Sequence, residues 1–417
     1  MTRRSSHPPL QRPIRPPGFW LLDPAVTFLN HGSFGSCPRP VVGFQQMIRA
    51  RLERQPIQFF VRDLEPLMDA ARASLTRFLC AGADDLAFVP NATAGVNTVL
   101  RSLRFRPGDE LLVTDHEYNA CRNALDSVAA DRGARVVVAW IPFPLRRVEE
   151  VLEAVMGRVT RRTRLALLDH VTSPTGLVLP MARLVRELEA RGVDTLVDGA
   201  HAPGMVPLNL RRLGAAYYTG NCHKWLCAPK GAAFLHVRPD RQQRLRPLVI
   251  SHGANSPRTD RSRFQIEFGW TGTWDPSAML SVPEAIRCVG GLLPGGWPAV
   301  MARNRQLALA GRERLCQALQ IDKPCPDTLI GSLASVPLPD SSSAEPPKSP
   351  LYQDPLQDEL LGRFGIEVPI MPWPAPPRRL LRISAQLYNS LPQYQRLADA
   401  LAGLLPGTSS RSRRKPR

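Results

Sequence analysis

Short apolar runs alternate with helical patterns along the chain from about residue 80 onward. Seven runs have the length and composition of buried strands: LAFVP (86–90), ELLVTD (110–115), RVVVAWIP (135–142), RLALLDHV (164–171), DTLVDGAH (194–201), AAYYTGN (215–221) and GAAFLHV (231–237). Between the strands, apolar residues recur at the helical period, first at Val96, Val99, Leu100 and Leu103 and again near 119–130, 147–158 and 180–191. This alternation predicts an α/β fold in which a mostly parallel sheet has helices on both faces.

The end of the alternating region and the last third of the chain follow different patterns. The last two predicted strands are too close in sequence for a crossover helix between them, so we expect one of them to run antiparallel. Helical patterns return near 296–320 and 392–404, on either side of a Pro/Ser-rich stretch, 337–350, that predicts a surface loop. We therefore expect a large domain over 18–285 and a smaller α+β domain over 286–406.

Basic residues are concentrated at the two ends of the chain. The net charge is +18, and residues 1–17 and 407–417 hold four and five basic residues with no acidic residue. Both segments are rich in Pro, Ser and Arg and lack apolar periodicity, so we predict disordered tails. The remaining charge is spread over the body without a basic stripe interleaved with aromatic residues. This distribution favours a solvated surface over a nucleic-acid site.

The sequence gives no signal for secretion, for a membrane span or for a bound metal. The stretch MTRRSSHPPLQRP lacks the apolar core of a secretory signal. No apolar run approaches the roughly 18 residues of a membrane helix. The eight cysteines form no C-x-x-C pair, which argues against a zinc site and against a disulfide framework. We expect a cytoplasmic protein with reduced thiols and no metal.

Polar residues follow five of the predicted strands at the point where each strand ends. They are the segment NATAGVN (91–97), His116, the segment TSPTG (172–176), Asp198 with His201, and His223 with Lys224. In an open parallel sheet, ligands bind outside the carboxyl ends of the strands. We therefore expect these side chains to share one edge of the sheet.

Each of these features also has an ordinary structural explanation. Segment 91–97 is either a helix N-cap or a phosphate cradle made of free N–H groups and the Thr93 hydroxyl. Asp198 either caps a helix or faces a cation, because a buried carboxylate without a partner is costly. Lys224 and His116, each taken alone, fit solvated surface residues. Together the set provides the anion cradle, amine, carboxylate and flat partner that pyridoxal phosphate requires.

Eight short motifs carry a resemblance to a known family. They are FLNHGSFG (28–35), NATAGVN (91–97), DHEYNA (115–120), DGAHAPG (198–204), TGNCHKWLCAPKG (219–231), GWTGTWDPS (269–277), FGIEVPI (364–370) and RISAQLYN (382–389). On these motifs the chain, from about residue 24 to 404, resembles the class V aminotransferase family, which has fold type I of the pyridoxal-phosphate enzymes. Within that family it resembles the isopenicillin N epimerase-like branch. The resemblance implies a homodimer that binds pyridoxal 5'-phosphate.

The resemblance also implies roles for individual residues at the cofactor. Lys224 would bind the cofactor aldehyde and move the α-proton of the substrate, and Asp198 would pair with the ring nitrogen. The other implied residues are His116 as the stacking partner of the ring, Ser173 and His201 near the ring hydroxyl, Thr93, Ala94, Asn221 and His223 at the phosphate, and Thr273 at the phosphate of the neighbouring subunit. Ser173 and Asn221 depart from the residues that related enzymes carry, asparagine and serine respectively.

For the substrate, the resemblance implies a carboxylate site at Arg382, a residue type suited to bidentate binding. Asn30 and His31 would lie at the mouth of the site, and His31 is our guess for the second acid that epimerisation needs. Related cysteine desulfurases use a mobile cysteine shortly before the arginine, but no cysteine lies between 351 and 381. We therefore expect an epimerase acting at the α-carbon of an amino acid, with a C–S β-lyase or an aminotransferase as alternatives, and no persulfide-forming desulfurase.

Overall fold

The computed structural model describes residues 10–14, 18–341, 351 and 354–405. Its strands are β1 (Thr27–Phe28), β2 (Leu86–Val89), β3 (Glu110–Thr114), β4 (Arg135–Ala139), β5 (Thr163–Asp169), β6 (Asp194–Asp198), β7 (Tyr217–Asn221), β8 (Ala233–Val237), β9 (Leu333–Leu338), β10 (Ile366–Glu367), β11 (Ile370–Pro372) and β12 (Arg379–Ser384).

The α-helices alternate with the strands in the first two thirds of the chain and dominate the last third. They are α1 (His31–Phe34), α2 (Arg39–Arg54), α3 (Pro56–Gln58), α4 (Leu64–Leu79), α5 (Ala92–Ser102), α6 (Asn119–Arg132), α7 (Glu149–Met156), α8 (Met181–Glu189), α9 (Leu210–Leu213), α10 (Arg263–Gly269), α11 (Ser277–Leu280), α12 (Val282–Gly290), α13 (Gly296–Leu319), α14 (Pro355–Phe364) and α15 (Leu391–Leu404). A π-helical turn, Phe59–Asp63, joins α3 to α4, and short 3₁₀ helices lie at Ala83–Asp85, Pro239–Arg244, His252–Asn255 and Asp327–Leu329.

The central sheet has seven strands in the order β2-β8-β7-β6-β5-β3-β4. Strands β7, β6, β5, β3 and β4 pair in parallel, and β8 runs antiparallel to both of its neighbours. The sequence-based expectation of a mostly parallel sheet with one reversed strand near residue 231 is confirmed. The carboxyl ends of the five parallel strands therefore lie at one edge of the sheet.

Two separate hydrophobic clusters cover the two faces of this sheet, because side chains alternate along each strand. Leu165 and Leu167 of β5 pack in one cluster with apolar residues of α5 and α6. Ala166 and Leu168 of the same strand pack in the other cluster with residues of α7 and α8. A strand that is buried on both faces reads as a continuous apolar run, which is the pattern that the sequence showed.

A second, antiparallel sheet in the order β11-β12-β9 packs with α13 and α15 in the last third of the chain. The predicted division at 285/286 falls inside α12, and β1, near the N-terminus, pairs with β10. The division into a large and a small domain stays a prediction. None of the helices that the structure describes is long and apolar enough to cross a membrane.

The predicted N-terminal tail and the predicted loop 337–350 each differ in part from the structure. Residues 10–14 belong to the predicted N-terminal tail, yet the Ile14 N–H donates to the Leu387 carbonyl at 2.7 Å and Arg303 donates to the Arg12 carbonyl at 2.9 Å. The predicted loop 337–350 begins with residues that β9 already includes. The rest of the two tails and most of the loop lie outside the described residues.

The first turn of α5 passes close to β7 at Gly95. A Cβ at this position would lie 2.1 Å from Thr219 Oγ1 and 2.7 Å from Thr219 Cβ. We expect Gly95→Ala to lower the free energy of unfolding by about 1–3 kcal/mol, because the overpacking outweighs the helix propensity gained with alanine. Urea unfolding of the two proteins measures the difference.

Gly362 in α14 provides the matched control, since a Cβ there meets no atom within 4 Å. Gly362→Ala should raise the free energy of unfolding by about 0.5–1 kcal/mol. If both variants became more stable, the distance between α5 and β7 would not limit the residue at 95.

Candidate active site

A cavity of about 410 Å³ lies at the carboxyl ends of the parallel strands. Its walls come from the ends of five strands and from α1: Ser33, Phe34, Asn91, Ala92, Thr93, Tyr118, Asp169, Ser173, Asp198, Ala200, His201, Asn221, His223 and Lys224. This is the edge at which open α/β sheets bind their ligands. The structure therefore brings together most of the residues that the sequence singled out.

Lys224 follows β7 and carries its amine into the cavity. Its Nζ lies 3.1 Å from His201 Nε2. Burial, and then the positive charge of Arg382, lower the pKa of Lys224 to about 8, although Asp198 acts in the opposite direction. A lysine with this pKa still has most of its amine protonated at pH 7, but its free-amine fraction, roughly a tenth, far exceeds that of an ordinary lysine with a pKa of about 10.4. The free amine is the nucleophilic form.

The hydrogen bonds of His201 fix where its proton sits. The indole Nε1 of Trp225 lies 3.3 Å from His201 Nδ1, and an indole can only donate. Burial holds the pKa of His201 well below its usual range, so the ring is neutral. With Nδ1 accepting, the proton is on Nε2, which donates to the lone pair of the Lys224 amine. The Trp225–His201 pair thus favours a neutral lysine.

Asp198 ends β6 and is buried at the base of the cavity. One carboxylate oxygen accepts the Ala200 N–H at 2.8 Å, and the other accepts the Cys121 thiol at 3.2 Å. Burial raises the pKa of Asp198, whereas the two hydrogen bonds and Lys224 lower it. A buried carboxylate in this position would gain from a cation in the cavity.

The start of α5 forms the opposite side of the cavity. Asn91 caps the helix by accepting the Ala94 N–H at 2.8 Å, and Asn221 accepts the Ala92 N–H at 2.9 Å. Among the described residues, the Thr93 N–H has no hydrogen-bond partner. A helix N-terminus with a free N–H group favours an anion such as a phosphate. The Ala94 N–H, which we expected to bind the phosphate, is already used by the cap.

His223 lies on the same side of the cavity. Its Nδ1 donates to the Ala232 carbonyl at 3.0 Å, which leaves Nε2 as the nitrogen available to a ligand. Burial, and then Lys224, lower the pKa of His223 to about 4. An anion beside Nε2 would raise that pKa, because it would stabilise the charged ring.

Arg382 in β12 is 3 % exposed and lies behind the cavity wall. It donates to the Ser173 carbonyl at 2.6 Å, to Ser173 Oγ at 3.1 Å and to Ser33 Oγ at 3.0 Å. No carboxylate of the described residues forms an ion pair with it, its Nε lacks a partner, and burial lowers its pKa to about 10. A buried cation without a counter-ion is costly, so this site favours an anionic ligand.

His116 does not reach the cavity, in contrast to the expected stacking role. Its ring is buried, with Nδ1 2.8 Å from Thr175 Oγ1 and Nε2 2.9 Å from the Ile141 carbonyl. Both ring nitrogens are therefore committed to the protein interior. Tyr118, two residues later, lines the cavity instead.

Asn30 and His31 also lie behind the wall rather than at the mouth. His31 is fully buried, with Nδ1 2.8 Å from the Tyr388 hydroxyl and Nε2 3.0 Å from the Lys224 carbonyl, and burial lowers its pKa to about 3. Asn30 accepts the Ser33 hydroxyl at 2.5 Å and so orients a residue that does line the cavity. Thr273 is exposed and lies outside the cavity of its own chain.

The sequence-based list missed Ser33, Phe34, Tyr118 and Asp169, which all line the cavity. Ser33 and Phe34 lie in the motif FLNHGSFG, from which we had selected the two preceding polar residues. Asp169 ends β5 as Asp198 ends β6. The rule that acids at strand ends face the site would have found it.

Comparisons with known proteins identify the family of this chain. Residues 57–321 match the family model Aminotransferase class-V. The chain is 39% identical over 397 residues to an isopenicillin N epimerase of Amycolatopsis lactamdurans, which covers 92% of this chain and 96% of that protein. It is 31% identical over 408 residues to a probable chloroplastic L-cysteine desulfhydrase of Arabidopsis thaliana, covering 92% of this chain and 84% of that protein.

Among solved structures, a complex of the cystine C–S lyase C-DES with its product cysteine persulfide superposes with a TM-score of 0.73 at 21% identity, over 90% of this chain and 97% of that chain. This likeness shows the shared fold. The chain belongs to the class V aminotransferase family and has fold type I of the pyridoxal-phosphate enzymes. It is an enzyme whose cofactor is pyridoxal 5'-phosphate.

The low pKa of Lys224 can be measured without any substrate. In the cofactor-free protein, the yield of Lys224 labelling by a small amine-reactive reagent should rise with a midpoint near pH 8. Arg382→Gln should move this midpoint to higher pH, because the lost positive charge had lowered the pKa. Mass spectrometry of the 219–231 peptide gives the yield.

Arg382→Lys retains the positive charge and should leave the labelling midpoint closer to that of the unsubstituted protein. A midpoint near the ordinary lysine pKa of about 10.4 in all three proteins would contradict the geometry described for the buried amine.

Proposed function

We propose that this enzyme epimerises the α-carbon of an amino acid, with pyridoxal phosphate held at Lys224. The observation that carries the proposal is the arrangement of three groups: the amine of Lys224 and the carboxylate of Asp198 line one cavity, and the guanidinium of Arg382 is buried against Ser33 and Ser173, which line the same cavity. An amine for the cofactor aldehyde, a carboxylate for its ring nitrogen and a cation for the substrate carboxylate are the minimum set for chemistry at an amino-acid α-carbon.

The cofactor fits between the two sides of the cavity. Asp198 would pair with the protonated ring nitrogen, and the Nε2–H of His201 would face the ring hydroxyl. Tyr118, which lines the cavity, would stand against the ring face in the role expected of His116. The phosphate would lie at the start of α5, held by the Thr93 N–H and hydroxyl together with Asn221 and His223, with Ser173 between the cofactor and Arg382.

When bound, pyridoxal phosphate supplies an electron sink for negative charge at the substrate α-carbon. Lys224 would remove the α-proton at Nζ and is suited to this task because its pKa lies near neutral. Arg382 would bind the substrate carboxylate by exchanging its present bonds to Ser33 and Ser173, which line the cavity. Its fork of N–H donors would then set the angle at which the α-proton meets the lysine. We assign no proton transfer on the opposite face to His31, because both of its ring nitrogens are used, by the Tyr388 hydroxyl and by the Lys224 carbonyl.

Sequence similarity supports epimerisation over elimination. Identity to the epimerase exceeds identity to the desulfhydrase, 39% against 31%, at the same coverage of this chain. A C–S β-lyase acting on cysteine or cystine is the second candidate, because the desulfhydrase similarity also spans the whole site. A persulfide-forming desulfurase is disfavoured: none of the eight cysteines lines the cavity.

We also propose a homodimer in which Thr273 reaches the phosphate of the partner's site. Thr273 is exposed and takes no part in the cavity of its own chain. Large apolar side chains are exposed on consecutive elements from α1 to the π-helical turn: Phe34, Met47, Ile57 and Val61. Exposed apolar surface of this extent favours a protein–protein contact.

Deuterium exchange separates the candidate reactions. With isopenicillin N and with simple amino acids in D2O, an epimerase should incorporate deuterium at the α-carbon with inversion and without release of pyruvate. With cystine, a lyase should instead release pyruvate and ammonia. Pyruvate from cystine, with no inversion of any amino acid tested, would replace the epimerase proposal by the lyase.

Lys224→Ala serves as the control for both reactions. It should abolish the exchange, the visible absorption band and the pyridoxyl group that borohydride leaves on the 219–231 peptide of the unsubstituted enzyme. A pyridoxyl group on any other peptide would remove Lys224 from the proposal.

The role of Arg382 has a kinetic test. Arg382→Ala should raise KM for the amino acid by an equivalent of about 2–4 kcal/mol, roughly 30-fold to 1000-fold, because a buried charge pair is lost. Steady-state kinetics measure the change. Arg378→Ala alters an exposed arginine close to the same strand and should leave KM unchanged. Equal KM values for the two variants would exclude Arg382 from the carboxylate site.

A further inference from the structure

Three carboxyl groups converge behind the base of the cavity. Glu117 follows β3, Asp169 ends β5 and Asp198 ends β6, and these three strands are neighbours in the sheet. The three residues are 8 %, 3 % and 2 % exposed. Asp169 and Asp198 are paired in register, and one oxygen of Glu117 lies within 4.8 Å of an Asp198 oxygen.

The cluster has few partners of opposite charge. The charged or titratable groups that face it are Lys224, Arg122, the Cys121 thiol and the Tyr218 phenol. Arg122 forms an ion pair with Asp126 at the surface. Among the described residues, one Asp169 oxygen has no hydrogen-bond donor, and the groups that reach the Glu117 carboxyl are the Tyr118 N–H and the Asp169 carboxyl. Of the three carboxylates, Asp198 is the one with two donors.

Glu117 and Asp169 contact each other through their carboxyl groups. Burial, and then the neighbouring carboxylates, raise the pKa of both residues well above the usual range. Two carboxylates in contact repel each other, whereas a carboxylic acid and a carboxylate form a strong hydrogen bond. The contact is therefore stable with one proton between the two groups.

We propose that Glu117 and Asp169 share one proton, and that their remaining negative charge reinforces the hold of Asp198 on the protonated ring nitrogen of pyridoxal phosphate. The inference rests on the proposed role of Asp198. Glu117 is a positioning residue that acts through Asp169 and Asp198 and does not touch the cofactor. The cofactor cation would then supply the counter-charge that the protein does not provide for this cluster.

If the proton is shared, replacing one acid of the pair by its amide should have little effect, whereas replacing both should have a clear effect. Glu117→Gln or Asp169→Asn alone leaves one carboxylate and one hydrogen-bond donor, which is the same charge as in the unsubstituted pair. Each single variant should therefore bind pyridoxal phosphate within about twofold of the original affinity, whereas the double variant should bind about tenfold more weakly, as for a change of one pKa unit at the ring nitrogen. Titration of the cofactor-free proteins by absorbance measures these affinities.

Two further measurements separate electrostatics from packing. The cofactor-free double variant should unfold at a higher temperature than the original protein, because it no longer buries the extra charge; a structural role predicts a lower temperature. An analogue of pyridoxal phosphate with carbon in place of the ring nitrogen should bind the double variant and the original protein equally well.

Other outcomes would overturn the proposal. If each single variant weakened binding as much as the double variant, no proton would be shared. If the double variant bound pyridoxal phosphate and the carbon analogue as tightly as the original protein does, Glu117 and Asp169 would carry no negative charge. Should the double variant fail to fold, infrared spectra of the unsubstituted holoenzyme decide: the band of one protonated carboxyl group must be present at neutral pH and absent from both single variants.

Asp198→Asn distinguishes a failure of this inference from a failure of the proposed function. It should weaken binding of pyridoxal phosphate and leave the carbon analogue unaffected. If Asp198→Asn had no effect, the proposed role of Asp198 would fall together with this inference. If it weakened binding while the double variant did not, only the inference about Glu117 and Asp169 would fall.

Discussion

The burial of charged groups at the carboxyl ends of parallel strands is the constraint on which this site depends. An amine, a guanidinium and three carboxyl groups lie within one poorly solvated region, and each would be costly there alone. The opposite charges lie on different sides: Arg382 is buried against Ser33 and Ser173, whereas Asp169 and Asp198 line the cavity with Lys224. Burial and then Arg382 lower the pKa of the lysine, and Asp198 raises it, so that these opposing effects leave the pKa at about 8.

Hydrogen bonds between uncharged groups also orient the side chains that line the cavity. Trp225 determines the tautomer of His201, and His201 in turn presents a proton to the lysine lone pair. Asn30 orients Ser33, which contacts Arg382. Such contacts tolerate little displacement, because a hydrogen bond loses its strength within a few tenths of an ångström or a few tens of degrees. Trp225 and Asn30 thus support the site without lining the cavity.

The sheet, its reversed strand and the cavity edge were predictable from the sequence. The spacing of apolar residues and the points at which strands end can be read directly from the order of the residues. Lys224, Asp198 and His201 were found for that reason. The direction of a side chain just after a strand is set by tertiary contacts: His116 turns inward to Thr175 and the Ile141 carbonyl, and Tyr118 faces the cavity. Ser33 is held at the cavity by a hydrogen bond from Arg382 in β12, which is distant in sequence. Local sequence patterns do not predict such a contact.

The machinery for removing the α-proton does not by itself distinguish an epimerase from a lyase. Lys224, Asp198 and Arg382 would serve both reactions, which is consistent with substantial identity to relatives of both names. The outcomes diverge afterwards: elimination needs a leaving group on the β-carbon, whereas epimerisation needs negative charge that persists until a proton arrives from the other face. A ring nitrogen kept protonated by Asp198 and the neighbouring acids, as proposed, would stabilise that charge. The buried carboxyl cluster is therefore suited to a reaction that ends in reprotonation.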